Sequence, residues 1–401
     1  MLEGPVTVPL RLLRVMASVA EHGSASRAAM ALHRSVSAVT RAVQQAEALL
    51  GLALFERGAR GMVATPAGAL LALRVQRALA ELRAGPAPEL AARATDAMLQ
   101  ALTVVAETRS EAASAARLGV TQPAVHATLR ALEHAARVRL FERSRRGTRL
   151  TEAGERVLGH ARLALAELRS GHDELAALRG LAPGRVTVGA LPMSSEVLVP
   201  QALSRLFAAD PGVRVTVVDG TYEALLHELR HGDVDFIVGP LRGDTAVPEV
   251  AEELLFVDRL LPVVRAGHPL LAARPRVNWP ALLRWPWIGP LPGTPARAAF
   301  ERAFEHAGLV PPTVGLQANS PSVVRAVLLG GDHVALVSPL QIRAELAVGA
   351  LVALPLAVQG TERSIGITQR HGALASAACL ALLGVLRDVG AQVVSPLSAA
   401  L

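Results

Sequence analysis

The chain has 401 residues, enough for two or three domains each with its own core. Its one cysteine, Cys379, excludes a disulfide framework and a multi-cysteine zinc site, which points to a reducing compartment. No charged stretch followed by an apolar one opens the chain, and arginines and acids interrupt every apolar run before membrane-spanning length, so a cytoplasmic protein without a membrane contact is expected. Charge is uneven: residues 1–180 hold 24 of the 41 basic residues and 16 of the 34 acids, a net of +8, whereas residues 181–401 hold 17 and 18, a net of −1. A basic half joined to a near-neutral half suggests one part built for a polyanion and another for something else. Every basic residue is arginine, a bias of genome composition, so arginine abundance alone is no sign of phosphate contacts.

The first half repeats itself 86 residues on, with no gap between residues 12 and 83. Leu54-Phe55-Glu56-Arg57 returns as Leu140-Phe141-Glu142-Arg143, and Thr65-Pro66-Ala67-Gly68 as Thr151-Glu152-Ala153-Gly154. The run from Ala78 to Arg83 reappears unchanged from Ala164 to Arg169. Each copy reads as an apolar helix (Leu12 to Glu21; Met98 to Glu107), a polar break at Ser24 or Ser110, and an Ala-rich helix (Ser26 to Leu32; Ala112 to Leu118). A third helix then starts near Ser35 or Thr121, either of which can cap it, and in the second copy Pro123 suits its first turn. Two short helices across a tight turn, the second with polar residues on its first turns, match a helix-turn-helix. Phe55 or Phe141 begins a β-like piece whose arginines (Arg57 and Arg60; Arg143, Arg145, Arg146 and Arg149) suit a wing lying against phosphates.

The second copy, through Ala115-Ala116-Arg117-Leu118-Gly119-Val120-Thr121-Gln122-Pro123-Ala124-Val125, Leu132-Glu133 and the two motifs above, resembles the DNA-binding domain of LysR-type transcriptional regulators. The first copy resembles it less faithfully, with Val36-Ser37 where the family pattern has Gln-Pro. The family normally carries one such domain, so the tandem is a departure. A third helix lying in the major groove would present Thr121, Gln122, Pro123, His126 and Arg130 in the second copy, with glutamine suited to adenine and arginine to guanine. The first would present Ser35, Val36, Thr40 and Arg41, with less hydrogen-bonding capacity. It has three readings: a second DNA site, DNA binding without much sequence preference, or a packing surface. Residues 153–180 read as one long amphipathic helix; the resemblance implies a dimerisation linker, and an intramolecular core helix is the alternative. The corresponding helix of the first copy stops at Gly85-Pro86-Ala87-Pro88.

From Arg185 short apolar strands alternate with helices: strands at Val186 to Ala190, Val213 to Val218 and Asp235 to Gly239, then at Pro286 to Gly289, Val314 to Ala318 and Val334 to Val337, with Ser364 to Thr368 returning and Ala373 to Asp388 closing as a helix. Two α/β lobes with two crossings imply a ligand cleft. The runs Gly184 to Gly189, Gly232 to Asp235, Gly239 to Leu241, Pro286 to Ile288 and Gly293 to Pro295 are similar to the family's effector-binding domain, which implies a fold like that of periplasmic binding proteins. The architecture expected is therefore multidomain: winged helix-turn-helices at 8–84 and 96–152 joined by a linker at 85–95, a helix over 153–180, and a two-lobed α/β effector domain at 184–390.

Candidate effector-binding residues are Ser194 and Ser195 at a strand-to-helix turn, Thr294 with Arg297 in the other lobe, Asn319 and Ser320 (with Ser322) opening a further helix, and Ser338 after a strand; serine, threonine and asparagine also cap helices everywhere. A carboxylate-bearing metabolite fits helix N-termini. No HExxH, Walker loop, GxSxG or paired Cys/His ligands appear, and Asp332-His333 sits in a turn, so neither an enzyme nor a cofactor or metal is expected. The expected partners are double-stranded DNA, a small-molecule effector, RNA polymerase, and further copies in a homodimer or homotetramer. An architectural DNA binder without sensing and a small-molecule binding protein are the rival readings.

Overall fold

The computed structural model describes residues 8–58, 61–144, 147–180, 184–243, 246–272 and 277–397. The chain divides into two units, residues 1–184 with 230–233, and the remainder. In the first unit, the first copy runs α1 (Leu10–His22), α2 (Ala25–Ala31), α3 (Val36–Leu50), a hairpin of β1 (Phe55–Gly58) and β2 (Gly61–Ala64), and α4 (Pro66–Ala84). After the single turn α5 (Leu90–Arg93), the second copy repeats the order as α6 (Asp96–Thr108), α7 (Glu111–Leu118), α8 (Gln122–Ala136), β3 (Phe141–Ser144), β4 (Gly147–Leu150) and α9 (Glu152–Leu178). Most helices of this unit start where a hydroxyl accepts an orphan N–H, among them Ser35 from Ala38, Thr65 from Gly68, Ser110 from Ala113, Thr121 from Ala124 and Thr151 from Gly154.

The repeated motifs have repeated tasks. Glu47 Oε1 accepts from the N–H groups of Leu54 and Phe55 (2.8 and 3.2 Å), and Glu133 Oε1 from those of Leu140 and Phe141 (2.8 and 3.1 Å), which fixes each wing to its third helix. The threonine of Thr-x-Ala-Gly caps α4 or α9, and its glycine passes so close to the wing that a Cβ on Gly68 or Gly154 would lie 1.9 or 2.2 Å from a leucine carbonyl oxygen. Both hairpins share one register, Phe55 opposite Ala64 and Phe141 opposite Leu150. Leu71, Val75, Ala78 and Leu82 of α4 join Val157, Ala161, Ala164, Leu168 and Leu175 of α9 in one core that continues into both helix-turn-helices. The apolar stripe of α9 thus packs against α4 within the chain.

The second unit has two sheets. One carries the strand order β6-β5-β7-β14-β8, from β5 (Arg185–Ala190), β6 (Arg214–Asp219), β7 (Phe236–Pro240), β8 (Val250–Arg259) and β14 (Glu362–Arg370). The other has the order β11-β10-β12-β9-β13, from β9 (Leu261–Arg265), β10 (Trp287–Gly289), β11 (Leu316–Gln317), β12 (Val334–Val337) and β13 (Leu351–Ala353). The chain passes between them twice, from β8 to β9 and from β13 to β14. On the first sheet lie α10 (Pro192–Glu196), α11 (Leu198–Ala209), α12 (Tyr222–His231) and α17 (Ala377–Leu397); on the second, α13 (Trp279–Leu282), α14 (Pro295–His306), α15 (Pro321–Gly330) and α16 (Arg343–Ala347). Trp287, Phe300 and Phe304 pack edge to face at the centre of the second lobe.

The expected strands and helices are present with shifted bounds, the closing helix running Ala377–Leu397 against an expected Ala373 to Asp388, and with the short helices α5, α13 and α16 in addition. At the expected strand-to-helix turn of Ser194 and Ser195 two helices follow the strand, α10 starting already at Pro192 and breaking at Val197. The strand expected at Val314 to Ala318 shortens to two residues, and the crossing strands β8, β9 and β13 were not anticipated. No helix among the described residues is long and apolar enough to cross a membrane.

Candidate nucleic-acid interface and effector cleft

In α8 the first turn is bare: Thr121, Gln122 and Pro123 are exposed, and Arg130, two turns on, is exposed on a helix anchored beneath by Val125, Leu129 and Leu132. The N-terminal end of the helix also carries partial positive charge toward an anion. His126 is half-buried instead and its Nδ1 lies 3.3 Å from Glu111 on α7, so the ring is tied to the neighbouring helix. In α3, Ser35, Val36, Ser37 and Arg41 are exposed, while Thr40 is half-buried. The hydroxyls of Ser35 and Ser37 lie 3.1 Å apart. Superposed by the repeat, Val36 stands where α8 has Gln122, Thr40 where it has His126, and Gln44 where it has Arg130; Arg41 matches Ala127. Exposed Gln44 is a candidate that the sequence reading passed over.

Arg57 and Arg143 lie on the wing strands β1 and β3, and Arg149 is exposed on β4. Arg60, Arg145 and Arg146 lie outside the described residues. Each hairpin returns through a glycine in the left-handed region, Gly61 at φ 114° and Gly147 at φ 112°. Neither could carry a side chain, since a Cβ there would come within 2.5 and 2.4 Å of the carbonyl oxygens of Gly23 and Arg109.

Between the lobes of the second unit lies a cavity of about 300 Å³. The turns before three helices open on it: Thr221 before α12, Thr294 before α14, and Asn319 before α15. Arg242 lies on its wall, with its guanidinium 4.1 Å from the Tyr222 ring centre and Nη1 donating across to the Gly293 carbonyl at 3.2 Å. Arg325 on the far wall pairs with Glu196 of the opposite lobe at 3.0 Å and with Glu345 at 3.6 Å. Burial holds the Glu196 carboxyl above its usual range, against the lowering pull of Arg325. At the floor, Arg363 Nη2 meets Asp258 Oδ2 at 2.5 Å, and the buried Ser338 hydroxyl donates to Asp258 Oδ1 at 2.7 Å.

Of the candidate effector contacts, Thr294 and Asn319 line this cavity. The other five lie outside its lining for visible reasons. Ser338 is consumed by Asp258, Ser195 donates to the Pro192 carbonyl, and Ser320 pairs with Ser322. Arg297 lies over Phe300 and pairs with Glu301, and Ser194 is wholly buried behind Met193, which faces the cavity. Thr221 and Arg242 went unanticipated. Thr221 had the same signal as Thr294, a hydroxyl at a strand-to-helix turn. Arg242 follows a strand end and carries no motif. Asp332 of the Asp332-His333 pair is engaged by Arg265 at 2.7 Å, a structural arrangement. No metal-ligating cluster occurs among the described residues.

Comparison with known proteins agrees with this architecture. The model for the bacterial regulatory helix-turn-helix protein, lysR family, matches twice, at residues 10–69 and 97–155, and that for the LysR substrate binding domain matches residues 179–391. The HTH-type transcriptional regulator GalR of Pseudomonas putida is 38% identical over 386 residues, 95% of this chain and 97% of the relative, a span that takes in both copies. The regulator PcaQ of Agrobacterium fabrum is 32% identical over 294 residues, 73% of this chain and 94% of its own. A full-length OxyR variant from Pseudomonas aeruginosa shares the fold at a TM-score of 0.53 and 20% identity, covering 73% of this chain and 93% of that one.

Proposed function

Because the chain belongs to the LysR family of DNA-binding transcriptional regulators, with a substrate-binding domain as its effector module, we propose that α8 reads base edges through Gln122 and Arg130 and that the interlobe cavity takes a small carboxylate. The bare first turns of α8 carry the first part. Thr121 and Pro123 sit beside the two readers, and the wing residues Arg57, Arg60, Arg143, Arg145 and Arg146 meet phosphates, which position the protein without specifying sequence. His126, held by Glu111, supports the helix from its inner side. On α3, Ser35, Thr40 and Arg41 contribute fewer base contacts.

Three helix N-termini facing one cavity, with Arg242 on its wall, favour an anion there. Thr221, Thr294 and Asn319 orient it; Ser194, Ser195, Arg297, Ser320 and Ser338 support the turns that hold them. An effector that prefers one arrangement of the lobes shifts the population toward it and changes how the DNA-binding unit engages RNA polymerase at a promoter. The test is a nuclease footprint of the full-length protein on the DNA beside its own gene. Discrete protection is expected, and Arg130→Ala should lose about 1–3 kcal/mol at one base pair while binding random DNA as before. Equal losses on both DNAs would remove Arg130 from the readers, and no protection at low salt would remove the reading altogether.

A further inference from the structure

The contacts between α4 and α9 come in reciprocal pairs. Arg74 of α4 meets Glu167 of α9 at 2.8 Å, and His160 of α9 meets Glu81 of α4 at 3.3 Å. His160 is the repeat equivalent of Arg74, and Glu81 that of Glu167. A Cβ on Gly171 would touch the Arg74 side chain at 3.1 Å, and one on its equivalent, Gly85, would touch His160 at 3.0 Å. When residue i meets j and the equivalent of j meets the equivalent of i, the two surfaces are related by a two-fold axis, the mark of an isologous dimer interface. Here both surfaces belong to one polypeptide.

The pairs run in opposite senses, so the helices are antiparallel, and their midpoint falls near Ala78 and Ala164, both buried, where the two identical six-residue runs begin. Leu10 and Asp96, again equivalents, meet at the same relation: the Leu10 N–H at the start of α1 donates to the Asp96 carboxylate at 3.0 Å. Each copy's trailing segment also reaches the other's third helix: Arg179 donates to the Leu50 carbonyl at the end of α3, and Glu89 lies 3.7 Å from Arg137 at the end of α8.

The side chains specify unlike partners. Arg74 takes two acids, Glu167 and Glu174, and Arg77 joins Glu167 at 2.9 Å. Were α9 to pair with a second α9, both acids would face a surface with His160 and Leu163 in place of the two arginines. Were α4 to pair with a second α4, Arg74 would find Pro88 where it now finds Glu174. Asp96 would likewise face a second Asp96. The short connection over 85–95 holds the two copies at an effective concentration on the order of mM, so the internal partner outcompetes another chain.

We propose that one chain carries a complete, asymmetric pair of DNA-reading heads. It occupies two half-sites by itself, and because α3 and α8 differ at Val36/Gln122, Thr40/His126 and Gln44/Arg130, those half-sites are unlike in sequence. This rests on the reading that the third helices enter the major groove. A two-fold relation between heads matches the dyad of duplex DNA, with half-sites about one helical turn apart. Any assembly of chains then uses surfaces other than the apolar face of α9.

The test is selection of duplexes bound by the full-length protein from a library randomised over about three helical turns. The expected product is two different half-sites at fixed spacing. Arg130→Ala should cut affinity about tenfold or more through changes in one half only, and Gln44→Ala should act through the other. An inverted repeat of identical half-sites, both sensitive to Arg130→Ala and neither to Gln44→Ala, would overturn the internal pairing while leaving DNA reading in place. Failure to enrich any sequence would overturn the DNA-reading function and this inference with it.

Discussion

Replacing Arg74 with methionine should cripple the first unit and leave the second untouched. The guanidinium is 2% exposed and holds Glu167 at 2.8 Å and Glu174 at 2.6 Å, at side-chain exposures of 8% and 15%. Burial opposes its charge, but the hydrogen bonds it donates to Glu174 and Glu167, together with their negative charges, outweigh that and raise its pKa above the ordinary arginine value. Removing one partner of a buried ion pair costs about 3–5 kcal/mol, because the charge left behind stays desolvated. The lower end applies here, since Arg77 still reaches Glu167. With a urea dependence of about 2 kcal/mol per molar, the unfolding midpoint should fall by about 1.5 M. The two units report separately: all three tryptophans, Trp279, Trp285 and Trp287, lie in the second, so fluorescence follows it alone while far-UV circular dichroism adds the helical first unit. The dichroism transition should move and the fluorescence transition should not. Adding Glu167→Met and Glu174→Gln should recover most of the loss, because a buried pair replaced whole by matched neutral groups is near neutral. An unchanged dichroism transition, or an equal shift of both signals, would refute the reasoning.

Acid should weaken the same unit through His172 on α9, whose pKa burial lowers from 6.5 while Asp173 and Asp96 pull weakly the other way. A folded-state pKa below the unfolded one means stability is fully present above pH 6.5 and is lost as pH falls from there through the lower folded value, so the melting midpoint should drop by a few degrees over that range. In His172→Phe this part of the pH dependence should vanish, and an unchanged profile would contradict it. At the crossing between the lobes, Arg363→Leu would strand Asp258, which is wholly buried, at a cost of about 3–5 kcal/mol. The tryptophan transition should register it; a shift confined to dichroism would place the damage elsewhere.

The repeat made the first unit legible. Caps at Ser35, Thr65, Ser110, Thr121 and Thr151 are local chemistry, and each begins a helix where a hydroxyl precedes an apolar stripe. The partner of α9 was less visible, because an apolar stripe shows that a helix needs cover without saying whose. The reciprocity of Arg74–Glu167 and His160–Glu81 emerges only when the offset of 86 residues is laid over observed contacts. Strand β9 was hidden by Pro262, which argues against a strand inside a sheet, although its carbonyl bonds the Leu354 N–H. In β8 the run Val250–Arg259 lacks alternation, since its burial comes from α17 on one part and the crossing on another. The cleft was partly legible: Thr294 and Asn319 follow from helix starts, but a serine at such a start points inward or outward by packing, and Ser194 is wholly buried while Ser195 bonds the Pro192 carbonyl and Ser338 the distant Asp258.

Internal pairing of α4 with α9 is tested most directly by charge reversal in one chain or in two. Arg74→Glu alone, and Glu167→Arg with Glu174→Arg alone, should each abolish specific DNA protection. All three changes in a single chain should restore it, because the reversed pair forms within that chain. Co-expressing the two defective chains should restore nothing if each helix pairs with its own partner. If protection returned in the mixture, the helices would be pairing between chains, and the single-chain account would be wrong.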